Sequence, residues 1–144
     1  MLASNDRMHW DAANYKHQAL TEKIIHAFYV VYNDLGYGYL ESLYEEALFR
    51  VLGRASMAVQ RQYPLAVWFQ GEKIGEFRAD FVVADTVIVE LKAVRVIEPF
   101  HEAQILNYLR ASNLEIGLLL NFGPAPKIKR FVFSNEKKLG RCSA

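Results

Sequence analysis

The chain has 144 residues, of which 52% are hydrophobic and 23% are charged, and its formal net charge is +1. This length and composition predict one globular domain with a substantial core and exclude an intrinsically disordered chain. No apolar stretch approaches the roughly 18–20 residues of a membrane span, so we expect no membrane segment. A nearly neutral charge also excludes a protein that holds nucleic acid by bulk electrostatic attraction, so any surface for nucleic acid would have to be local.

The cysteine and histidine content restricts both the compartment and the kind of metal site. Cys142 is the only cysteine and cannot form an internal disulfide, and the polar N-terminus lacks the pattern of a signal peptide. Both features favour a reducing, cytoplasmic location. With one cysteine and four scattered histidines, the sequence excludes a structural zinc site of the usual ligand spacing.

Two helices are predicted in the first third of the chain. Residues 1–14 show no hydrophobic periodicity, which indicates a flexible N-terminus. Over residues 15–32, and again over 40–52, apolar positions recur at intervals of three and four, the pattern of an amphipathic helix. Gly36 is placed to end the first helix in a conformation with positive φ. The predicted single domain therefore begins at residue 15.

The rest of the domain predicts a mixed sheet. Alternating or continuous apolar runs predict strands, and a segment that starts after Pro99 predicts a third helix. In chain order these elements are strands 59–69, 74–83 and 87–94, a helix over 100–111, and strands 115–121 and 128–133. Pro64 indicates that the first strand lies at a sheet edge or contains a bulge. The order predicts an α/β fold: a three-stranded antiparallel meander, a helical crossover and further strands, flanked by helices.

The C-terminal segment is rich in positive charge. Between Lys127 and Arg141 the chain carries six basic residues against the single acid Glu136. They could form a local surface for nucleic acid, and a solvated basic tail with no partner explains the same composition. We place the end of the domain at residue 134 and treat residues 135–144 as a basic C-terminal tail.

The segment Val87–Lys92 carries the strongest functional signal. It is an apolar run that ends in Glu90 and Lys92, whose side chains share a face because they are two positions apart in a strand. A buried strand carries charged groups only if they are paired or take part in function. If Ala84–Thr86 forms a three-residue turn, Asp80 lies directly opposite Glu90. Two adjacent carboxylates repel each other, and a hard divalent cation such as Mg²⁺ would bind both.

Two interpretations of this carboxylate pair remain open. In one, Asp80 and Glu90 belong to a buried salt-bridge network with Lys92 and Arg78. In the other, they are metal ligands. The second is favoured because more polar groups are gathered around the pair than a salt bridge requires. They are Glu41 at the start of the second helix and His101, Gln104 and Tyr108 on one face of the third.

Some of these polar residues also have a purely structural explanation. Glu41 lies in the first turn of a helix, where the helix dipole favours a carboxylate. His101 could act as a general base or contact a phosphate, but a local hydrogen bond is the commoner role of a histidine at a helix start. Tyr44 follows Glu41 by one turn, and we expect it to pack in the core and not to contact a substrate.

Five short motifs carry a resemblance to a known family. They are Gly38-x-x-Glu41-x-x-Tyr44, Phe77–Asp80, Glu90-Leu91-Lys92, His101–Leu109 and Leu119–Gly123. In order and spacing, the sequence from about residue 20 to residue 133 closely resembles the GxxExxY protein family of the PD-(D/E)xK nuclease superfamily. The resemblance implies a restriction-endonuclease-like core. One departure is Ala79, which stands where the superfamily name has proline, at a position that varies within the superfamily.

The resemblance also implies roles for the residues of the predicted site. The implied metal ligands are Asp80, Glu90, the backbone carbonyl of Leu91 and, directly or through water, Glu41. Lys92 would orient or activate the attacking water and stabilise the charge that develops on the phosphorane. Gln104 and Tyr108 match a Q-x-x-x-Y helix motif whose residues face the site and contact the substrate strand.

The sequence therefore predicts a nuclease that hydrolyses phosphodiester bonds with Mg²⁺, or with Mn²⁺ in its place, and acts on DNA in preference to RNA. The alternative is a catalytically silent module with the same fold that serves in protein or nucleic-acid assembly. The intact set of two acids and one lysine favours the enzyme. Because one small subunit covers little nucleic acid, cleavage of a duplex would favour a homodimer or a partner protein.

Overall fold

The computed structural model describes residues 17–138. The predicted flexible N-terminus and residues 139–144 of the predicted tail lie outside this range. The elements are α1 (Gln18–Leu35), α2 (Glu41–Arg54), β1 (Val59–Phe69), β2 (Glu72–Val83), β3 (Val87–Lys92), α3 (Pro99–Arg110), β4 (Ile116–Phe122), β5 (Pro126–Val132) and a short 3-10 helix (Asn135–Lys137). None of the helices within residues 17–138 has the length and apolarity needed to cross a membrane.

The five strands form one mixed sheet in the order β1-β2-β3-β4-β5. The first three strands are antiparallel neighbours, and α3 carries the chain over to β4, which pairs parallel to β3. The last strand returns antiparallel to β4. This confirms the predicted α/β fold, with its antiparallel meander and helical crossover. It also confirms that β1 is an edge strand, as Pro64 indicated.

The sheet separates two hydrophobic cores. On one face, Ile24 and Phe28 of α1 and Leu48 of α2 pack in a core with Val89 of β3. On the other face, Ile105 of α3 packs in a second core, with alternate strand residues such as Ile88. Because successive side chains of a strand point to opposite faces, β3 and β4 supply both cores and are buried on both sides.

The observed boundaries differ from the predicted ones by at most two residues, except at α1. This helix ends at Leu35, later than predicted, because the polar residues before Gly36 do not interrupt it. The chain leaves the helix only at Gly36, which has a φ of 66° and donates its N–H to the carbonyl of Tyr32 at 2.8 Å. As predicted, a glycine with positive φ ends the helix.

The hairpin of β1 and β2 extends well past β3 and changes faces midway. β2 has 12 residues, but only Phe81–Val83 pair with β3. Gln62 and Asp80 lie opposite each other without pairing, and Gln62 has a φ of 50°. Phe81 packs in the core under α1 and α2, whereas Ala79 packs in the core under α3. Asp80 therefore lies where β2 turns from one face of the sheet to the other.

The described part of the basic C-terminal segment is structured. Lys138 is only 8% exposed, and its Nζ donates to the carbonyl oxygens of Ser112 and Leu114 at 3.0 and 2.7 Å. On β5, Lys129 forms an ion pair with Glu102 of α3 at 3.1 Å. Lys138 is therefore part of the fold and not of a solvated tail.

Candidate active site

Asp80 and Glu90 hold β2 and β3 together at the point where the two strands stop pairing. The last paired residues are Phe81 and Val89, which is the register predicted from the three-residue turn. One step further, the N–H of Asp80 donates to Oε1 of Glu90 at 2.9 Å, and the N–H of Leu91 donates to Oδ2 of Asp80 at 2.8 Å. The two carboxylates therefore lie together, each fixed by the backbone of the opposite strand.

Burial makes negative charge costly at this pair. Glu90 is only 4% exposed, and burial, followed by the charge of Asp80, raises its pKa to about 8. Burial also raises the pKa of Asp80, against the hydrogen bond from Leu91, and the charges of Glu45 and Glu41 add to the rise. A bound cation would stabilise two ionised carboxylates in this position. Without a cation, a proton on the pair removes one of the two negative charges.

Lys92 lies beside the pair, on the face of the sheet that α3 covers. Its Nζ donates to Oε1 of Gln104 at 3.3 Å. This bond brings the predicted Gln104 to the site and positions the ammonium group. The charge of this group partly offsets the rise in the pKa of both Asp80 and Glu90. The sheet and the third helix thus meet at the carboxylates, as the sequence motifs predicted.

The buried salt-bridge network that the sequence left open does not form. Arg78 is largely exposed, and its Nη2 lies 3.7 Å from a carboxylate oxygen of Glu76. Within residues 17–138, neither Asp80 nor Glu90 is in an ion pair with a lysine or an arginine. The carboxylate pair is therefore not explained as one half of an ionic core.

The N-terminal turns of α2 bring two more carboxylates towards the pair. Glu41 is exposed and forms no hydrogen bond or ion pair with any described residue, yet its charge acts on Asp80. Glu45, one turn later, has the larger effect on Asp80, accepts a hydrogen bond from Gln62 at 3.1 Å and pairs with Arg61 at 3.5 Å. The sequence predicts no role for Glu45, although its spacing of four from Glu41 puts both on one helix face.

The remaining predicted residues of α3 have clear structural partners. His101 is 7% exposed, and its Nδ1 accepts the N–H of Glu98 at 2.9 Å, which completes a capping box at the start of α3. Tyr108 is buried with its ring stacked on Phe77 at 4.1 Å. Burial, then the charge of Glu90, raises the pKa of Tyr108, so its hydroxyl stays protonated near the carboxylates. Contact of either residue with a substrate stays a prediction.

Asn121, for which the sequence predicts no role, fixes the chain directly after Lys92. It is 1% exposed, pairs with Lys92 across β3 and β4, and holds Val94 by two bonds. Its Oδ1 accepts the N–H of Val94 at 3.0 Å, and its Nδ2 donates to the carbonyl of Val94 at 2.9 Å. At Gly123 an added Cβ would overlap that same carbonyl oxygen. An asparagine inside an otherwise apolar strand was the available signal.

The sequence that contains this site matches the model of a known superfamily. The model of the PD-(D/E)XK nuclease superfamily matches residues 18–131. The chain belongs to this superfamily. The match runs from the start of α1 to the penultimate residue of β5 and contains the carboxylate pair, Lys92 and Gln104. Members of the PD-(D/E)XK superfamily are generally nucleases.

One solved structure supports the assignment at the level of fold. The structure described as "Crystal structure of SSO0001" superposes on this chain with a TM-score of 0.51 and 15% sequence identity. The superposition covers 83% of this chain and 61% of that protein, so the chain spans less than two thirds of its length. At this identity the likeness shows a common fold alone. No curated protein matches the sequence.

Nucleases of the PD-(D/E)XK superfamily typically use divalent metals such as Mg²⁺, and the donors at this site fit such an ion. Oδ1 of Asp80 and Oε2 of Glu90 have no hydrogen-bond partner among the described residues. Hard cations bind such oxygens and keep several waters. Within residues 17–138, no three His, Cys, Asp or Glu side chains are grouped closely enough to hold a metal. Coordination by the carbonyl of Leu91 and by Glu41 stays a prediction.

Proposed function

We propose that this protein is a cytoplasmic, Mg²⁺-dependent nuclease that hydrolyses phosphodiester bonds in nucleic acid, DNA in preference to RNA. The observation that carries the proposal is the carboxylate pair of Asp80 and Glu90, fixed by reciprocal backbone hydrogen bonds with Lys92 beside it. A structural ionic core would pair these carboxylates with lysine or arginine, and within residues 17–138 neither is in such an ion pair. Mn²⁺ would substitute for Mg²⁺, because it also takes carboxylate oxygens.

The carboxylates would bind the metal in a prearranged geometry. The N–H of Leu91 orients the carboxylate of Asp80, and the N–H of Asp80 orients that of Glu90, so each keeps one oxygen for a ligand. Mg²⁺ bound there would withdraw charge from the scissile phosphate and lower the pKa of a bound water. The protein's own contribution is to hold these oxygens in place before the substrate arrives.

Lys92 would position the attacking water and stabilise negative charge on the phosphate. An ammonium group has three donors, and Gln104 accepts only one of them. No other described residue accepts a hydrogen bond from Lys92, so the other two donors would serve a water molecule and a phosphate oxygen. As a compact point charge, Lys92 suits the charge that develops in the transition state.

The residues of α3 would contact the substrate strand. Tyr108 keeps its proton and can donate a hydrogen bond to a phosphate. Because Nδ1 of His101 accepts the N–H of Glu98, Nε2 carries the proton and is a donor as well. Glu41, with no partner among the described residues, would hold a metal-bound water.

The experiment that tests the proposal compares the wild type with Lys92→Ala. Both are incubated with linear, circular and single-stranded DNA, and with RNA of the same sequence, in Mg²⁺, Mn²⁺ or EDTA. We expect cleavage by the wild type only with metal, and a loss of at least about a hundredfold in Lys92→Ala, the usual scale for removing one transition-state contact. Arg78→Ala is the control, because Arg78 is exposed and forms an ion pair with Glu76 and with neither Asp80 nor Glu90.

Two results would contradict the proposal. Absence of metal-dependent cleavage on every substrate would favour the catalytically silent module. Equal cleavage by wild type and Lys92→Ala would place the activity at another site or in a contaminant. If a duplex is cut, we expect a homodimer or a partner protein, and sedimentation of a strict monomer at assay concentration would count against the homodimer.

A further inference from the structure

Two segments that border the proposed active site expose an unusual amount of apolar surface. The segment 37–43 contains Glu41, and the segment 96–100 leads from Lys92 into α3. Their exposed apolar residues are Tyr37 (63% exposed), Tyr39 (48%), Leu40 (74%), Leu43 (51%), Val96 (65%) and Phe100 (63%). Single exposed apolar residues are normal on a protein surface, but a concentration in two segments that contain or adjoin residues of one site indicates a binding surface. We call Tyr37, Tyr39 and Phe100 the aromatic rim.

The loop that carries two of these rings is held in place. The hydroxyl of Tyr44 donates to the carbonyl of Gly36 at 2.6 Å and accepts the N–H of Tyr39 at 3.3 Å. Tyr44 is itself fully buried, with its ring stacked on Phe122 at 4.2 Å. This confirms the predicted packing role of Tyr44. The rings of Tyr37 and Tyr39 are therefore presented by an ordered loop, which lowers the entropic cost of binding.

The third ring of the rim is supported from α3. Phe100 lies one residue before His101, and their ring centroids are 4.0 Å apart. His101 is fixed by the N–H of Glu98, so the surface under the Phe100 ring is rigid. Gln104, the partner of Lys92, follows Phe100 by one helical turn. The ring thus stands close to the lysine end of the site.

Exposed positive side chains near Lys92 are available to contact phosphates. Lys92, Asn121 and Lys127 lie in one row across β3, β4 and β5, and directly paired residues share a face. Lys127 and Arg95 are exposed, and neither is in an ion pair with a described residue. At about 4.8 Å between neighbouring strands, the backbones of Lys127 and Lys92 lie about 10 Å apart. Phosphates next to the scissile one could therefore meet positive charge.

We propose that the aromatic rim stacks on unpaired bases on either side of the scissile phosphate, so that the substrate of this site is single-stranded nucleic acid. This inference rests on the proposed nuclease function, because that function puts the scissile phosphate between the two segments. Aromatic side chains stack on the face of any base, but a duplex hides these faces in its own stack. A net charge of +1 also provides few of the phosphate contacts by which proteins hold duplexes.

The test measures binding without catalysis. Fluorescence anisotropy in EDTA compares an oligothymidine of about 20 nucleotides with a duplex of the same length, long enough to exceed one site on such surfaces. We expect the wild type to bind the single strand more tightly, and Tyr37→Ala or Phe100→Ala to weaken this binding about tenfold each. Tyr37→Phe and Phe100→Tyr keep the ring and should retain the affinity. Phe69→Ala, at the far tip of the β1–β2 hairpin with 59% exposure, is the matched control.

The outcomes separate this inference from the nuclease proposal. Equal affinity for duplex and single strand, or unchanged binding by Tyr37→Ala and Phe100→Ala, would overturn the inference and indicate that the rim contacts a protein or a second copy. Metal-dependent cleavage with no preference for single strands would overturn it as well, and would leave the nuclease proposal standing. Rim-dependent binding of single strands without cleavage in Mg²⁺ or Mn²⁺ would support the rim as a nucleic-acid surface. It would refute only the proposal that the protein is a nuclease.

Discussion

The carboxylate of Asp80 accepts the backbone N–H of Leu91 at 2.8 Å, across a gap in which β2 and β3 no longer pair. This bond ties one proposed metal ligand to the residue whose carbonyl is proposed as another. The relative position of the two groups is therefore set by the fold and not by the metal. Such prearrangement is what an active site needs to stabilise charge in a transition state.

The raised pKa of Glu90 predicts a pH-dependent stability in EDTA. The folded state keeps the proton up to about pH 8, whereas an unfolded glutamate has a pKa of 4.5. The folded state therefore binds more protons between these values, and the free energy of unfolding falls as the pH rises from 4.5 to about 8. Thermal denaturation at about pH 5.5 and at about pH 8.5 should show this decline in the wild type and a smaller one in Glu90→Gln.

Mg²⁺ should reverse this effect in the wild type, because it binds the ionised carboxylates. We expect Mg²⁺ to raise the melting temperature at high pH in the wild type and to change it little in Glu90→Gln. A decline with pH that is identical in the two proteins would show that another group titrates.

The two acids at the start of α2 should differ in function. Glu41→Gln should lower the rate of metal-dependent cleavage about tenfold or more, the scale for a residue that acts through a metal-bound water. Glu45→Gln should retain most activity and lose less than about 1 kcal/mol of stability, because Glu45 is tied to Gln62 and Arg61 near the surface. Single-turnover cleavage rates and thermal melts of both variants check this. If Glu45→Gln cleaves more slowly than Glu41→Gln, Glu45 and not Glu41 is the functional carboxylate of α2.

Asn121 should act as a positioning residue for Lys92. Asn121→Leu keeps the volume but leaves the N–H and C=O of Val94 unpaired, at a cost of about 2–3 kcal/mol. The chain after Lys92 would then shift, and we expect kcat to fall roughly tenfold to a hundredfold with KM little changed. Thr21→Val is the matched control, because it removes a buried hydroxyl that donates to the carbonyl of Gln18 in α1. If both variants lose activity in proportion to stability, Asn121 has no positioning role.

Two glycines should respond in opposite directions to alanine. Gly123→Ala forces a Cβ onto the carbonyl oxygen of Val94, so we expect a loss of about 1–3 kcal/mol in the free energy of unfolding. Gly53 lies in α2 with nothing within 4 Å of an added Cβ. Gly53→Ala should therefore gain up to about 1 kcal/mol, because alanine favours the helix. Denaturant titrations of the two variants measure both effects, and an equal change of stability in the two would contradict the close approach at Gly123.

Local rules in the sequence were sufficient for the arrangement of Asp80 and Glu90. The three-residue turn fixes the hairpin register as far as Phe81 and Val89, and Asp80 and Glu90 follow one step further along the two strands. The parallel pairing of β3 with β4 follows from the crossover through α3. These rules involve neighbouring elements only, which is why the fold and the carboxylate pair could be predicted.

Features that depend on distant contacts could not be predicted in this way. The hairpin changes faces at Gln62, whose φ of 50° carries no signal in the sequence. The partner of Asn121 is Val94, 27 residues away, and the buried Lys138 meets carbonyl groups of a loop 24 and 26 residues earlier. Hydrophobic patterns show that such polar residues are unusual, but not which backbone groups they meet.

The most direct test of the proposed metal site is the binding of Mn²⁺ to the wild type and to Asp80→Asn, measured by electron paramagnetic resonance of the free ion. Asparagine keeps the shape of the side chain and removes the charge that the metal requires. We predict a saturable Mn²⁺ site in the wild type that competes with Mg²⁺ and is weakened at least about tenfold in Asp80→Asn. Equal Mn²⁺ binding by the two proteins would show that the carboxylate pair is not a metal site and would contradict the proposed metal-dependent mechanism.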